Sequence, residues 1–193
     1  MKHLQLADDA IFKIGKVTSV DGRTVSVQVD KTKNTSHLLY RGELLKNVAV
    51  GSYLKIAKGF TAIIGKVDGE FISEDKSYSG KDYGSEKEKI DRTLKIKLLG
   101  FFEGQAFKRG IKELPLVDNE CFLLQNDEFD QIHNFLRQGD EPIRIGTLAL
   151  EKGQAIRVGV DGLFASHIGI FGNTGSGKSY TLAKLYSRIV REV

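Results

Sequence analysis

HIGIFGNTGSGKS, residues 167–179, joins a short apolar run to a glycine-rich loop that ends in Lys-Ser. The run His167–Phe171 is almost wholly apolar after its histidine, which predicts a central strand covered on both faces. Gly172–Ser179 fits G-x-x-x-x-G-K-[ST], the phosphate-binding P-loop pattern. The next stretch, YTLAKLYSRIVREV, sets Leu182, Leu185, Tyr186, Ile189 and Val193 on one helical face. Strand, loop and helix in that order are the context the pattern requires.

Each part has a chemical reason. Glycines let the backbone curl into a nest of N–H groups aimed at one anion. A helix starting near Lys178 adds unpaired N–H groups and the positive end of its dipole. Lys178 brings a point charge to the β- and γ-phosphates, and the Ser179 hydroxyl suits a Mg²⁺ ion bridging them. The expected nucleotide-binding residues are Gly172, Asn173, Thr174, Gly175, Ser176, Gly177, Lys178, Ser179 and Tyr180. Lys178 is the expected catalytic cation, Ser179 the metal ligand, and ATP with Mg²⁺ the cofactor pair. A glycine-rich turn without a ligand has no reason to place Lys-Ser at a helix start.

Hydrolysis also needs an acidic residue on a second strand, a group that orients water and often an arginine from a neighbouring subunit. Only 14 residues follow Ser179. The expectation is therefore a truncated ATPase domain with little turnover of its own, cut from a longer protein.

Working back toward the start, the pattern is β. Val25, Val27 and Val29 alternate with Ser26 and Gln28. Asp21-Gly22 separates them from the run Ile14–Val20 and predicts a hairpin turn with φ > 0 at both positions. Tyr53–Ala57 and Phe60–Val67, joined by Lys58-Gly59, predict a second hairpin. Thr93–Leu99 alternates Leu94, Ile96 and Leu98 with Lys95 and Lys97, and shorter apolar runs lie at Leu114–Val117 and Cys121–Gln125. Many short strands with glycine turns predict a small barrel or a sandwich. Ser73–Arg92, almost free of large aliphatics, predicts a solvated, mobile loop.

Near Asn126 the period changes. Asn126-Asp127 can cap a helix whose face carries Phe129, Ile132, His133 and Leu136, ending before Gly139 and Pro142. His133 on that face reads as a packed histidine. Strand periodicity resumes at Ile143–Leu148 and Ala155–Val160. The expected division is 1–125 for the barrel and 126–193 for the start of an α/β P-loop domain.

Composition narrows the class. A net charge of +4, without a dense Lys/Arg block, permits nucleic-acid contact without arguing for it. The single cysteine, Cys121, excludes a disulfide framework and reads as a buried small hydrophobe. No run approaches the ~18 apolar residues of a membrane span, and the start has no secretory h-region, so no membrane and a cytoplasmic setting are expected.

HIGIFGNTGSGKS, together with LLYRGELLKNVAVGSYLKIAKGFTAIIGKVDGE at residues 38–70, resembles bacterial HerA-type ATPases of the HerA/FtsK group. The resemblance favours the barrel over the sandwich and implies a RecA-like ATPase domain after it. It also implies a hexameric ring that drives double-stranded DNA through a central pore. The barrels would form a collar that docks a partner, a nuclease or NAD-consuming effector, in DNA processing or antiphage defence. Gly172, Gly175, Gly177, Lys178 and Ser179 match the family's nucleotide ligands. Other barrel-plus-P-loop motors (a rotary ATPase subunit, a conjugation-type ATPase) and a purely structural docking module remain as alternatives.

Overall fold

In the computed structural model, which describes residues 11–40, 42–74, 90–104, 106–136, 139–148, 155–165 and 167–192, the apolar alternation of the N-terminal region becomes a closed ring of strands. The chain divides into two compact units, Met1–Asn126 and Asp127–Val193.

The strands of the first unit are β1 (Lys13–Asp21), β2 (Thr24–Val29), β3 (His37–Tyr40), β4 (Glu43–Lys46), β5 (Tyr53–Lys58), β6 (Thr61–Glu74), β7 (Ile90–Glu103), β8 (Ala106–Arg109) and β9 (Glu120–Leu123). The order β2-β1-β9-β5-β6-β7 is closed by a direct β2–β7 pairing, so six strands form a barrel and not a sandwich. Closure removes the unpaired edges of an open sheet. β8 attaches to the second half of β7, and β3 with β4 makes a separate hairpin. Cross-strand register explains the core. Val25 faces Ile96 and Val27 faces Leu94, and all four are fully buried. Lys95 and Lys97 point outward from the same strand.

Two details of the hairpins differ from expectation. Asp21 pairs with Thr24, and Lys58 with Thr61, so the turns are Gly22-Arg23 and Gly59-Phe60. Gly22 and Gly59 have φ of 56° and 58°. Only the first turn position needs positive φ, as in a II′ turn, and the preceding Asp or Lys stays in its strand.

The ends of the expected loop Ser73–Arg92 are strand: β6 runs through Ser73 and Glu74, and β7 begins at Ile90. The middle of that loop, 75–89, lies outside the described residues. Leu114–Val117 is not a strand. Pro115 supplies no N–H, and Leu116 and Val117 are exposed on the way to a turn at Asp118.

Arg92 ties this end of the barrel together. Its Nε donates to Glu70 Oε1, and its Nη2 donates to the Val48 carbonyl at 2.5 Å. Both side chains of the ion pair are largely buried. Glu70→Gln is expected to destabilise the barrel by about 2 kcal/mol, because it leaves the guanidinium without its counter-charge. Chemical denaturation read by circular dichroism checks this; no change in midpoint would contradict it.

The second unit is described by itself. From the boundary onward it holds α1 (Asn126–Ile132, its first residue belonging to the first unit), β10 (Asn134–Phe135), β11 (Pro142–Thr147), β12 (Ala155–Gly159), α2 (Val160–Phe164) and α3 (Lys178–Glu192). β12 lies between β10, which it parallels, and β11, which it opposes. α1 is shorter than the periodicity predicts, and Leu136 is not on it. The Phe129 carbonyl takes the His133 amide at 3.3 Å and lies 3.0 Å from His133 Nδ1. Asn134 Oδ1 accepts the Leu136 amide at 3.0 Å, and Asn134 itself pairs with β12. Sheet pairing thus replaces the expected continuation of the helix toward Leu136. Val160, expected at a strand end, opens α2.

Candidate phosphate-binding loop

Gly172–Ser179 forms a tight loop that feeds directly into α3. Gly175 and Gly177 hold φ of 81° and 84°, a region side-chain-bearing residues rarely enter. The Ser176 amide donates to the Asn173 carbonyl at 3.1 Å, closing a turn. Lys178 then folds back across the loop, and its ammonium donates to the carbonyls of Gly172 at 2.9 Å and Asn173 at 2.7 Å. One side chain therefore holds both ends of the curl.

The helix start is fixed by Thr181, a residue outside the P-loop pattern. Its amide and its hydroxyl both donate to the Gly177 carbonyl, at 2.8 and 3.0 Å. A hydroxyl two residues after the Lys-Ser pair is the signal that could have marked it. Along α3, Leu185 and Ile189 are half-buried, and the Tyr186 ring lies 5.6 Å from that of Phe164.

All the residues from Gly172 to Tyr180 stand together on the loop and the first turn of α3. Lys178 is half-buried, and the rest, including Ser179, are exposed. The strand expected before the loop is absent: His167–Phe171 has no ladder partner among the described residues, and Phe171 is 94% exposed. A central strand needs a neighbour on each edge, and no described strand pairs with this segment.

The remaining candidates are packing groups. His133 is buried, with its ring 4.4 Å from that of Phe129. Cys121 is fully buried in the barrel, and desolvation raises its thiol pKa, which disfavours the nucleophilic thiolate. No group of three or more metal-ligating side chains occurs among the described residues. No described helix is long and apolar enough to cross a membrane.

No curated protein matches the chain. A family model does, over residues 143–193, a span that runs from β11 through the loop to α3 and leaves out the barrel. The model is that of the HerA helicase central domain, and this C-terminal segment is similar to it.

Proposed function

We propose that Gly172–Ser179 binds the phosphates of ATP and that the protein serves an ATP-driven motor of the HerA/FtsK kind. The observation that carries this reading is the curl held by Lys178 at the start of a 15-residue helix. Its glycine φ values suit a backbone anion nest, and the first N–H groups of α3 have no intrahelical acceptor. On nucleotide binding, Lys178 would exchange two carbonyl acceptors for phosphate oxygens, a stronger charge-assisted bond. Ser179, on the exposed first turn, would hold Mg²⁺, which neutralises charge on the transferring phosphoryl group.

At the level of the whole protein, the segment would begin a RecA-like domain in a hexameric ring acting on double-stranded DNA. The barrel would assemble the collar and dock a nuclease or other effector. What supports docking is apolar surface: Phe60 at the β5–β6 turn is fully exposed, and Leu114, Leu116 and Val117 are exposed in the segment leading to β9. Lys58 clamps that segment to the hairpin through the Leu114 carbonyl at 2.7 Å and Glu113 at 2.9 Å. Calorimetric titration with Mg·ATP tests the nucleotide reading. Saturable binding that depends on Lys178 is the expected result, and its absence would overturn the assignment.

A further inference from the structure

β6 and β7 run on past the barrel they help to close. On β7 the inward series Leu94 and Ile96 is fully buried, and strand alternation carries the same face on to Arg92 and Ile90. On β6, Glu70 lies opposite Leu94 and Ile72 opposite Arg92, so both share that face. β2 pairs with β7 only as far as Thr93, and beyond it the core-side face loses its cover. Ile72 is 60% exposed and Ile90 37%. Residues 34–37 and 46–49 complete the walls of a cavity of about 540 Å³ over this face. All of its lining belongs to the barrel unit.

The walls are braced by hydrogen bonds. Buried Asn47 donates Nδ2 to the carbonyls of Lys33 at 2.7 Å and Thr35 at 2.6 Å, and its Oδ1 accepts the Val48 amide at 2.7 Å. Asn34 Nδ2 donates to the Ile90 carbonyl at 2.8 Å, and Arg92 joins Glu70 to the Val48 carbonyl. Val48 and Ala49 add apolar lining to that of Ile72 and Ile90. Charge in the lining is one-sided. Glu70 is the one acid among the described lining residues, and Arg92 neutralises it. Lys46 is the excess cation. It pairs with His37 at the base of the β3–β4 hairpin, where both are exposed.

We propose that this cavity binds a small amphipathic acid, a molecule with an apolar body and one carboxylate. Its volume suits a small-molecule site, typically about 300–1,000 Å³. The body would cover Val48, Ile72 and Ile90 and release water from apolar surface. The carboxylate would meet the Lys46 ammonium at the rim in a charge-assisted bond, beside His37. A bare phosphate would leave the apolar lining wet, and a neutral hydrocarbon would leave Lys46 unused. The cavity shares no residue with Gly172–Ser179 and does not rest on the nucleotide reading.

The test titrates the 193-residue chain with octanoate and, separately, with octanol, read residue by residue from amide NMR shifts. Octanoate is expected to shift the Val48, Ala49, Ile72 and Ile90 amides saturably. Octanol should shift the same amides with about tenfold weaker affinity, since it lacks the charge. Lys46→Gln, at an exposed position, should bring octanoate down to the affinity of octanol and leave octanol unchanged. Lys178→Ala should bind octanoate as the parent does, and Mg·ATP should not compete, which separates this site from the glycine-rich loop. The proposal is overturned if octanoate leaves those amides unmoved, or if octanol binds as tightly as octanoate. It is also overturned if Lys46→Gln binds octanoate as the parent does, or if the response depends on Lys178.

Discussion

Lys178→Ala is expected to lower Mg·ATP affinity by about 10- to 100-fold, the worth of one or two hydrogen bonds to a charged group. Turnover by the assembled motor should fall below detection. The loss arises because the ammonium no longer meets the phosphates; the bridge from Lys178 to Gly172 and Asn173 belongs to the unliganded loop and does not add to it. Arginine at this position is not expected to rescue, since its planar fork does not reproduce a point charge at the centre of the loop. Titration calorimetry gives the affinity, and a coupled assay with and without duplex DNA gives the turnover. Barrel melting should be unchanged in the same variant, because the loop belongs to the other unit. ATP turnover equal to that of the parent would sink the P-loop assignment.

Ile96→Ala is expected to destabilise the barrel by about 3 kcal/mol, the cost of removing a large buried aliphatic side chain. Ile96 is fully buried where β7 meets both β2 and β6, opposite Val25 on one side and Val67 on the other. It also lies over Gly65: a Cβ there would sit 2.3 Å from Ile96 Cγ2 and 3.1 Å from the Lys97 carbonyl. Gly65→Ala alone should therefore cost about 2 kcal/mol through overpacking. Combined with Ile96→Ala it should cost less than the sum, since the shortened side chain frees the space. Denaturant melts of the two single variants and the double variant supply the cycle. Simple additivity would show that the two residues do not share the packing site.

The barrel was legible in part because its strands are half-buried. Leu94, Ile96 and Leu98 alternate with exposed residues, and the period-two pattern survives single-sequence reading. Which strands meet is set by long-range pairing, such as β2 with β7, that no local pattern reports. The turns slipped by one residue because Asp21-Gly22 and Gly22-Arg23 carry the same local signal, and only the ladder register separates them. The helix near Asn126 was overextended because Leu136 continues the apolar spacing, while the competing bond partner of Asn134 lies on β12, more than twenty residues away. HIGIF has the composition of a buried strand, but a strand also needs ladder partners, which composition does not supply. The backbone curl of the loop was legible, since its glycines with positive φ lie within eight consecutive residues, but the bond of Lys178 back to Gly172 and Asn173 was not. The opposition of Arg144 and Arg157 was not legible, because they become neighbours only through hairpin register.

The pairing of β1 with β9 has a consequence for biosynthesis. Lys13 faces Phe122 and Lys16 faces Glu120, so the last strand of the barrel completes the wall against the first. During synthesis the ring cannot close until residue 123 has left the ribosome. Until then β1 and β5, each of which pairs with β9 in the finished barrel, wait with one edge open to pairing with other chains. Contacts this distant in sequence also slow folding, since loop closure must precede the contacts that reward it. The barrel is therefore the part of the nascent chain with most to gain from chaperone protection.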